Sequence, residues 1–225
     1  MIVSINQPGY LPWLGYFDRI ARSDRHVVLD HVTLGKDGMV NRNKIRTPQG
    51  HQLLTVPIKN RGGGQPICEI ETALDKPLHV THLRAIQNNY ARAPHFAKHM
   101  VFFERVYRQD WLLLSSLMAE ITQYVLDEWN IKTPLVCSSK LQARGTKSDL
   151  NLNLCLELGA TVYLSGPFGR DYLDIPSFEK HGIEVRFHDY QHPTYPQAWP
   201  GFEPFMTAID ALMNCAEFPV DHSAA

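Results

Sequence analysis

The sequence predicts an α/β protein, a Rossmann-like three-layer sandwich with a mostly parallel sheet, a β-hairpin excursion and an all-helical insert. Three observations predict it. Residues 1–30 read as strand, turn, helix and strand, residues 77–130 are helical in pattern, and strands alternate with helices again from residue 134. A chain of 225 residues with 44% apolar content buries one substantial core. We therefore expect a single domain over residues 1–225, with the helical insert at about 77–130.

The first thirty residues predict a βαβ unit. An apolar run at residues 2–5 has the composition of a strand, and the Pro8-Gly9 pair ends it. Apolar residues then recur at helical spacing behind Pro12, because a missing N–H costs nothing in a first turn. Residues 26–29 predict a second strand, ended by Asp30. The loop after the first strand of such a unit is the usual place for a phosphate or a carboxylate.

The middle of the chain predicts a hairpin and then helices. After Asp30 an irregular stretch runs through residue 45, and a turn at 48–50 predicts a hairpin whose second strand covers 51–59. The Gly62–Gly64 run predicts a mobile loop or a lid over the site, and residues 67–72 a short strand. Three helices follow, at 77–90, 95–108 and 111–129, with Asp110 as the cap of the third.

The last third of the chain returns to alternating elements. Strands are predicted at 134–138, 161–164 and 183–187. A helix capped by Ser148 or Asp149 ends at Gly159, a second helix covers 172–182, and a final helix covers about 204–215. This alternation is typical of a parallel sheet covered by helices on both faces.

Composition and charge restrict the classes of function. There is neither a long apolar run nor a leader-like N-terminus, so we expect a cytoplasmic protein that does not contact a membrane. The four cysteines lack metal-ligand spacing, so we expect no metal site. Residues 1–100 carry 13 Lys and Arg against 7 Asp and Glu, which favours an anionic small-molecule substrate as strongly as it favours a solvated surface. These cations are too few to indicate a nucleic acid, and the oligomeric state stays open.

Three polar loops follow predicted strands and should meet at one edge of the sheet. They lie at residues 7–12, 138–147 and 165–171, and the third offers Ser165 and glycine N–H groups to an anion. The plain alternatives are a strand-to-helix turn for the third loop, and core positions for the first loop's aromatic rings. The candidate binding residues from these loops are Gln7, Trp13, Tyr16, Ser138, Ser165, Gly166 and Tyr172.

Donors are densest at Asn41-Arg42-Asn43-Lys44, within a cationic stretch that also contains Lys36. Arg42 can grip a phosphate or carboxylate with two hydrogen bonds, and Asp30 is placed to orient it. His82 is a candidate general base, although a single histidine on a helix is more often structural. Since no nucleophile motif is present, the sequence favours positioning and acid–base chemistry. We assign catalytic roles to His82, Tyr10 and Asp30, and binding roles to Lys36, Asn41, Arg42 and Asn43.

A resemblance to a known family covers nearly the whole chain. The matching pieces are Gln7-Pro8-x-Tyr10-Leu11-Pro12-Trp13-x-Gly15-Tyr16-Phe17, Leu29-Asp30, Asn41-Arg42-Asn43-Lys44-Ile45, Leu54-Thr55-Val56-Pro57, His82, Asn89-Tyr90, Ser138-Ser139 and Tyr163-Leu164-Ser165-Gly166. With these pieces the chain resembles the WbqC-like protein family. It departs from the family at 38–40, where members often carry an aromatic residue.

The resemblance implies a bacterial protein of O-antigen or other surface polysaccharide biosynthesis, a transferase that moves glycine or another amino acid to a sugar. A second likeness, of architecture alone, is to nucleotidylyltransferases and pantothenate-synthetase-like ligases. This likeness supports an alternative function, that of an ATP-dependent adenylate-forming or nucleotidylyl-transferring enzyme. ATP and magnesium would be cofactors only under this alternative. Trp13 and Tyr16 stand where those enzymes carry His-x-Gly-His. The third hypothesis is that the chain is a non-catalytic ligand-binding protein of a glycan pathway.

Overall fold

Seven strands and seven helices make up the part of the chain that the structure, a computed structural model, describes: residues 1–35, 39–59, 64–73 and 77–220. The strands are β1 (Ile2–Asn6), β2 (Arg25–Val28), β3 (Arg42–Thr47), β4 (Gly50–Thr55), β5 (Leu135–Cys137), β6 (Val162–Ser165) and β7 (Glu184–Phe187). The helices are α1 (Leu14–Ala21), α2 (Arg84–Tyr90), α3 (Phe96–Tyr107), α4 (Leu114–Glu128), α5 (Lys147–Leu158), α6 (Ile175–Lys180) and α7 (Ala208–Asn214). A π-helical turn (His79–Leu83) leads directly into α2.

The central sheet is parallel and has the strand order β5-β2-β1-β6-β7. Val3 of β1 pairs with Arg25 of β2 on one side and with Tyr163 of β6 on the other. One core cluster packs β1 against α5 and α6, and a second cluster packs α1 against α4 and α7. The predicted parallel α/β sandwich is therefore confirmed. Within the described residues, no helix combines the length and the apolar character that crossing a membrane requires.

The hairpin and the helical insert are also confirmed, although the second strand of the hairpin ends at Thr55 and not at residue 59. β3 and β4 form a separate antiparallel pair in which Arg42 lies opposite Thr55. The helices α2, α3 and α4 follow between β4 and β5, as the apolar periodicity predicts. Their largest cluster includes Phe103, Leu117 and Ile121, and it also takes in Tyr10 from the loop after β1. The insert therefore packs on the same loop that leads into α1.

Two segments between β2 and α2 differ from the prediction. Residues 41–45 are largely strand β3, because hydrogen bonds to β4 order a segment whose own sequence is polar and carries no alternating pattern. Residues 67–72 form no strand. Ile67–Glu69 make a 3-10 turn, and the segment pairs only through single bridges, such as that between Ile58 and Thr72.

Three helices begin later than predicted. α4 starts at Leu114 and not behind an Asp110 cap, because Leu113 is extended and bridges to Glu71. The predicted helix 172–182 is reduced to α6, preceded by a 3-10 turn at Pro167–Asp171. The final helix starts at Ala208, since Phe205 has a left-handed backbone (φ 58°) that no helix continues through. Gly159 ends α5 with φ 69°, as predicted.

Candidate functional site

The carboxyl ends of β1 and β6 frame a crevice at the point where the strand order reverses. The chain crosses from β1 to β2 on one side and from β6 to β7 on the other. Ligands of open α/β sheets bind at such a switch point. The crevice has a volume of about 500 Å³, and we call it the switch-point crevice. Its lining includes Asn6, Trp13, Arg19, Ser165, Gly166, Tyr172, His188, Tyr190 and Phe205.

Arg19 of α1 places a buried positive charge in this crevice. The residue is 8% exposed, and none of its three guanidinium nitrogens donates a hydrogen bond or pairs with a carboxylate among the described residues. Burial lowers the pKa of the guanidinium, and tyrosine hydroxyls, led by that of Tyr163, oppose this shift. Arginine nevertheless stays protonated in proteins, and a buried charge without a partner is costly. The guanidinium is therefore able to donate hydrogen bonds to an anion.

The loop after β6 packs directly on this guanidinium. A Cβ atom at Gly166 would clash with Nη1 of Arg19, so a larger residue here would push the guanidinium aside. The hydroxyl of Ser165 and the N–H of Gly169 both donate to the carbonyl oxygen of Gly166, at 3.1 and 3.0 Å. The Gly169 N–H is therefore used inside the loop and does not face an anion as the sequence predicts. The guanidinium of Arg19, in contrast, keeps its donors free in this crevice.

Aromatic rings form another wall of the crevice. Trp13 meets Tyr190 edge-on with ring centroids 5.0 Å apart, and it meets Phe205 at 5.8 Å. Phe205 is 49% exposed. Tyr172 is also exposed, and its hydroxyl accepts a hydrogen bond from Nδ2 of Asn151 at 3.2 Å. These ring faces can stack on a planar group such as a nucleobase.

A histidine and an aspartate form a buried pair at the same crevice. Nε2 of His188 donates to Oδ2 of Asp18 at 2.5 Å, and Nε of Arg22 lies 3.0 Å from both carboxylate oxygens. Burial alone would raise the pKa of Asp18, but the hydrogen bonds from His188 and Arg22 outweigh burial and lower it. Nδ1 of His188 has no hydrogen-bond partner in the described part of the chain. An imidazole held by a carboxylate at one nitrogen is suited to accept a proton at the other.

Asp30 lies at a second cavity, beyond the carboxyl ends of β2 and β5. It accepts hydrogen bonds from the hydroxyls of Ser138 and Ser139 and from the Ser139 N–H, at 2.8–3.0 Å. Its predicted partner Arg42 is not among these contacts. The cavity holds about 520 Å³ and is also lined by Tyr16 and Cys137. We call it the Asp30 cavity.

Tyr10 and His82, predicted as catalytic, are in direct contact but buried. The Tyr10 hydroxyl lies 2.6 Å from Nδ1 of His82 and 2.7 Å from the hydroxyl of Tyr107. Nε2 of His82 donates to the carbonyl oxygen of Thr55 at 3.1 Å. Burial lowers the pKa of His82 to about 4, so the ring is neutral near pH 7. The chain of hydrogen bonds ties the loop after β1 to the insert and to the hairpin.

The polar run at β3 is used largely within the fold. Nδ2 of Asn41 donates to the carbonyl of Val56, and Nδ2 of Asn43 donates to the carbonyl of Leu11. Arg42 is half-buried, and its Nε has no partner among the described residues. It lines neither the switch-point crevice nor the Asp30 cavity, and the same is true of Gln7, Asn41 and Asn43. Lys36 lies outside the described residues, as does most of the Gly62–Gly64 loop.

Sequence reasoning missed Arg19, Asp18 and His188. Asp18 and Arg22 are four residues apart on α1, and His188 comes directly after the strand predicted at 183–187. That placement at the carboxyl end of a strand was the available signal for His188. In the described residues, no group of three His, Cys, Asp or Glu side chains is arranged to hold a metal ion.

Two comparisons with known proteins match nearly the whole chain. A family model described as "WbqC-like protein family" matches residues 7–221. A relative from Mycobacterium tuberculosis (strain ATCC 25618 / H37Rv), described as "Uncharacterized protein Rv1507c", is 35% identical over 221 residues. That match covers 96% of this chain and 95% of the relative. No solved structure matches.

Proposed function

We propose, since this chain belongs to the WbqC-like protein family, that it is a transferase that binds a nucleotide-linked sugar in the switch-point crevice. The group transferred is glycine, another amino acid or a related acyl group, and the product enters O-antigen or another bacterial surface polysaccharide. One observation carries the proposal. Arg19 holds a buried, unpaired guanidinium at the place in the fold where anionic ligands bind.

The crevice offers complementary chemistry to each part of such a substrate. Phosphate oxygens accept two parallel hydrogen bonds from a guanidinium, and Arg19 has all its donors available. The exposed rings of Phe205 and Tyr172 offer stacking surfaces to the base or the sugar. The volume of about 500 Å³ lies within the roughly 300–1,000 Å³ usual for small-molecule sites.

His188 supplies the acid–base chemistry in this proposal. An amino or hydroxyl group of the sugar attacks the carbonyl carbon of an activated acyl donor, a new C–N or C–O bond forms, and the nucleophile's proton passes to Nδ1 of His188. The donor's leaving group departs with the electrons of the broken acyl bond. Asp18 holds the ring by Nε2 and stabilises the imidazolium that forms. The hydrogen bond between Tyr10 and His82 holds the loop after β1 in position.

The test combines binding with turnover. The full chain is incubated with a panel of nucleotide-linked amino sugars and either glycyl thioester or glycine with ATP and magnesium, and products are read by mass spectrometry. A sugar nucleotide heavier by the acyl group supports the proposal. Magnesium-dependent pyrophosphate release without an acylated sugar would instead identify the ATP-dependent adenylating alternative. Tight binding without turnover would indicate the non-catalytic ligand-binding alternative, and no binding of any nucleotide would refute the use of the crevice.

A further inference from the structure

We propose that the Asp30 cavity is a second ligand site, which binds the ammonium group of an organic amine against the Asp30 carboxylate. This inference does not rest on the proposed transferase activity, because it concerns a different cavity. The cavity of about 520 Å³ lies between α4 and the carboxyl ends of β2 and β5. Its described lining contains Asp30 and Glu120 but no lysine, arginine or histidine.

Asp30 presents a negative charge that the protein does not neutralise. The residue is 5% exposed and has no ion pair with a described lysine or arginine. Oδ1 accepts from the Ser138 hydroxyl and the Ser139 N–H, Oδ2 accepts from the Ser139 hydroxyl, and the Cys137 thiol also donates to the carboxylate. A carboxylate has about four acceptor sites and a thiol is only a weak donor, so an ammonium group can take the place of the Cys137 thiol on the carboxylate. Glu120, by contrast, already pairs with Arg105 at 2.7 Å.

The surroundings select the chemical class of the cation. Hard metal ions take six or more oxygen ligands or keep several waters, and a single available carboxylate in an otherwise mostly apolar cavity does not suit them. A primary ammonium needs fewer acceptors. Tyr16 lines the same cavity, and its hydroxyl forms no hydrogen bond with a described residue, so it provides a second acceptor. Met118, Ala119 and Leu135 add apolar walls for the carbon part of the amine.

A matched set of three probes tests the charge requirement on the unaltered chain. The probes are phenethylamine, its neutral analogue phenethyl alcohol and the anion hydrocinnamate, each titrated at millimolar concentration while amide resonances are followed by NMR. The Ser139 N–H donates to Asp30, so its resonance reports directly on that carboxylate. We expect phenethylamine to shift it and to bind about tenfold or more tightly than either analogue. Equal binding of the neutral analogue, or no shift with the amine, would overturn the proposal.

Two variants locate the site. Asp30→Asn should weaken phenethylamine binding about tenfold or more, with exposed Asp149→Asn as its control. Because Asp30→Asn also disturbs three hydrogen bonds, Ala119→Trp fills the cavity from the exposed side of α4 and leaves the carboxylate intact. Ala97→Trp, on an exposed position of α3 outside the cavity, is the matched control. Amine binding that survives Ala119→Trp in a folded protein would contradict the assignment. Uridine diphosphate binding, measured on the same samples, should be unchanged and keeps the two sites distinguishable.

Discussion

Replacing Arg19 with methionine should weaken ligand binding and yet stabilise the free protein. Methionine is of similar length and apolar, so it fills the same space among Tyr16, Tyr163 and Tyr172 without a charge to desolvate. Replacing buried charged groups by apolar ones of similar volume is often neutral or stabilising by about 1–4 kcal/mol. We expect the lower end, about 1 kcal/mol, because the crevice is open to solvent. For a chain of this size that raises the melting temperature by about 2–4 °C.

The same substitution removes the anion donors. Hydrogen bonds to charged groups contribute about 1.5–3 kcal/mol, so uridine diphosphate should bind Arg19→Met roughly tenfold to 150-fold more weakly. Arg19→Lys keeps the charge without the planar fork and should fall between the two. Nucleotide should therefore raise the melting temperature of the unaltered chain and have little effect on Arg19→Met.

Calorimetry with uridine diphosphate and thermal melts with and without it measure both effects. Arg108→Met, at an exposed arginine just beyond α3, controls for the change in net charge. If Arg19→Met melts at a lower temperature and binds nucleotide with unchanged affinity, Arg19 is structural. The proposed substrate would then have no guanidinium to bind its phosphate groups.

Three more predictions concern the crevice and the buried histidines. Gly166→Ala, whose Cβ would clash with the Arg19 guanidinium, should weaken uridine diphosphate binding by calorimetry without preventing folding, which circular dichroism checks. His188→Gln should lower initial transfer rates by about 10²–10⁴-fold with nucleotide affinity nearly unchanged, and an equal loss of affinity would mean that His188 only shapes the crevice. Burial lowers the pKa of His26 to about 3 and that of His82 to about 4, below the value of about 6.5 in an unfolded chain. As the pH falls, the unfolded state therefore binds protons before the folded state does. The free energy of unfolding should be highest above about pH 6.5 and should decrease as the pH drops toward 4. Urea titrations across that range test this, and stability that is flat down to pH 4 would contradict it.

The sheet and its covering helices are predictable because their patterns are local. The apolar run of β1, the proline before α1 and the spacing of Leu14 and Phe17 each indicate the observed element independently. Gly159 likewise ends α5 through its own left-handed backbone. The sequence-based prediction fails where a contact with a distant backbone segment determines the local structure. Leu113 is extended because it bridges to Glu71, more than forty residues earlier, and nothing near Leu113 in the sequence shows that.

The site is harder to predict because its charged residues break the usual rule of exposure. Arginine is mostly a surface residue, and Arg19 follows Asp18 in a helix whose polar residues would be placed outside. Its guanidinium packs against Gly166, which the pairing of β1 with β6 brings close. Asp30, in contrast, comes directly after a predicted strand, and that position alone indicates the edge of the sheet where it lies.

The two cavities hold opposite charges on either side of one short segment. Pro8 and Tyr16 line the Asp30 cavity, while Asn6 and Trp13 line the switch-point crevice. Arg19 and Cys137 both act on the Tyr16 hydroxyl, whose pKa is raised mainly by burial, so Tyr16 lies between the two cavities. A buried cation and a buried anion this close in sequence would stabilise the free protein most by pairing with each other. Since they do not pair, their charges remain available for the two proposed ligand groups, an anionic one at Arg19 and a cationic one at Asp30.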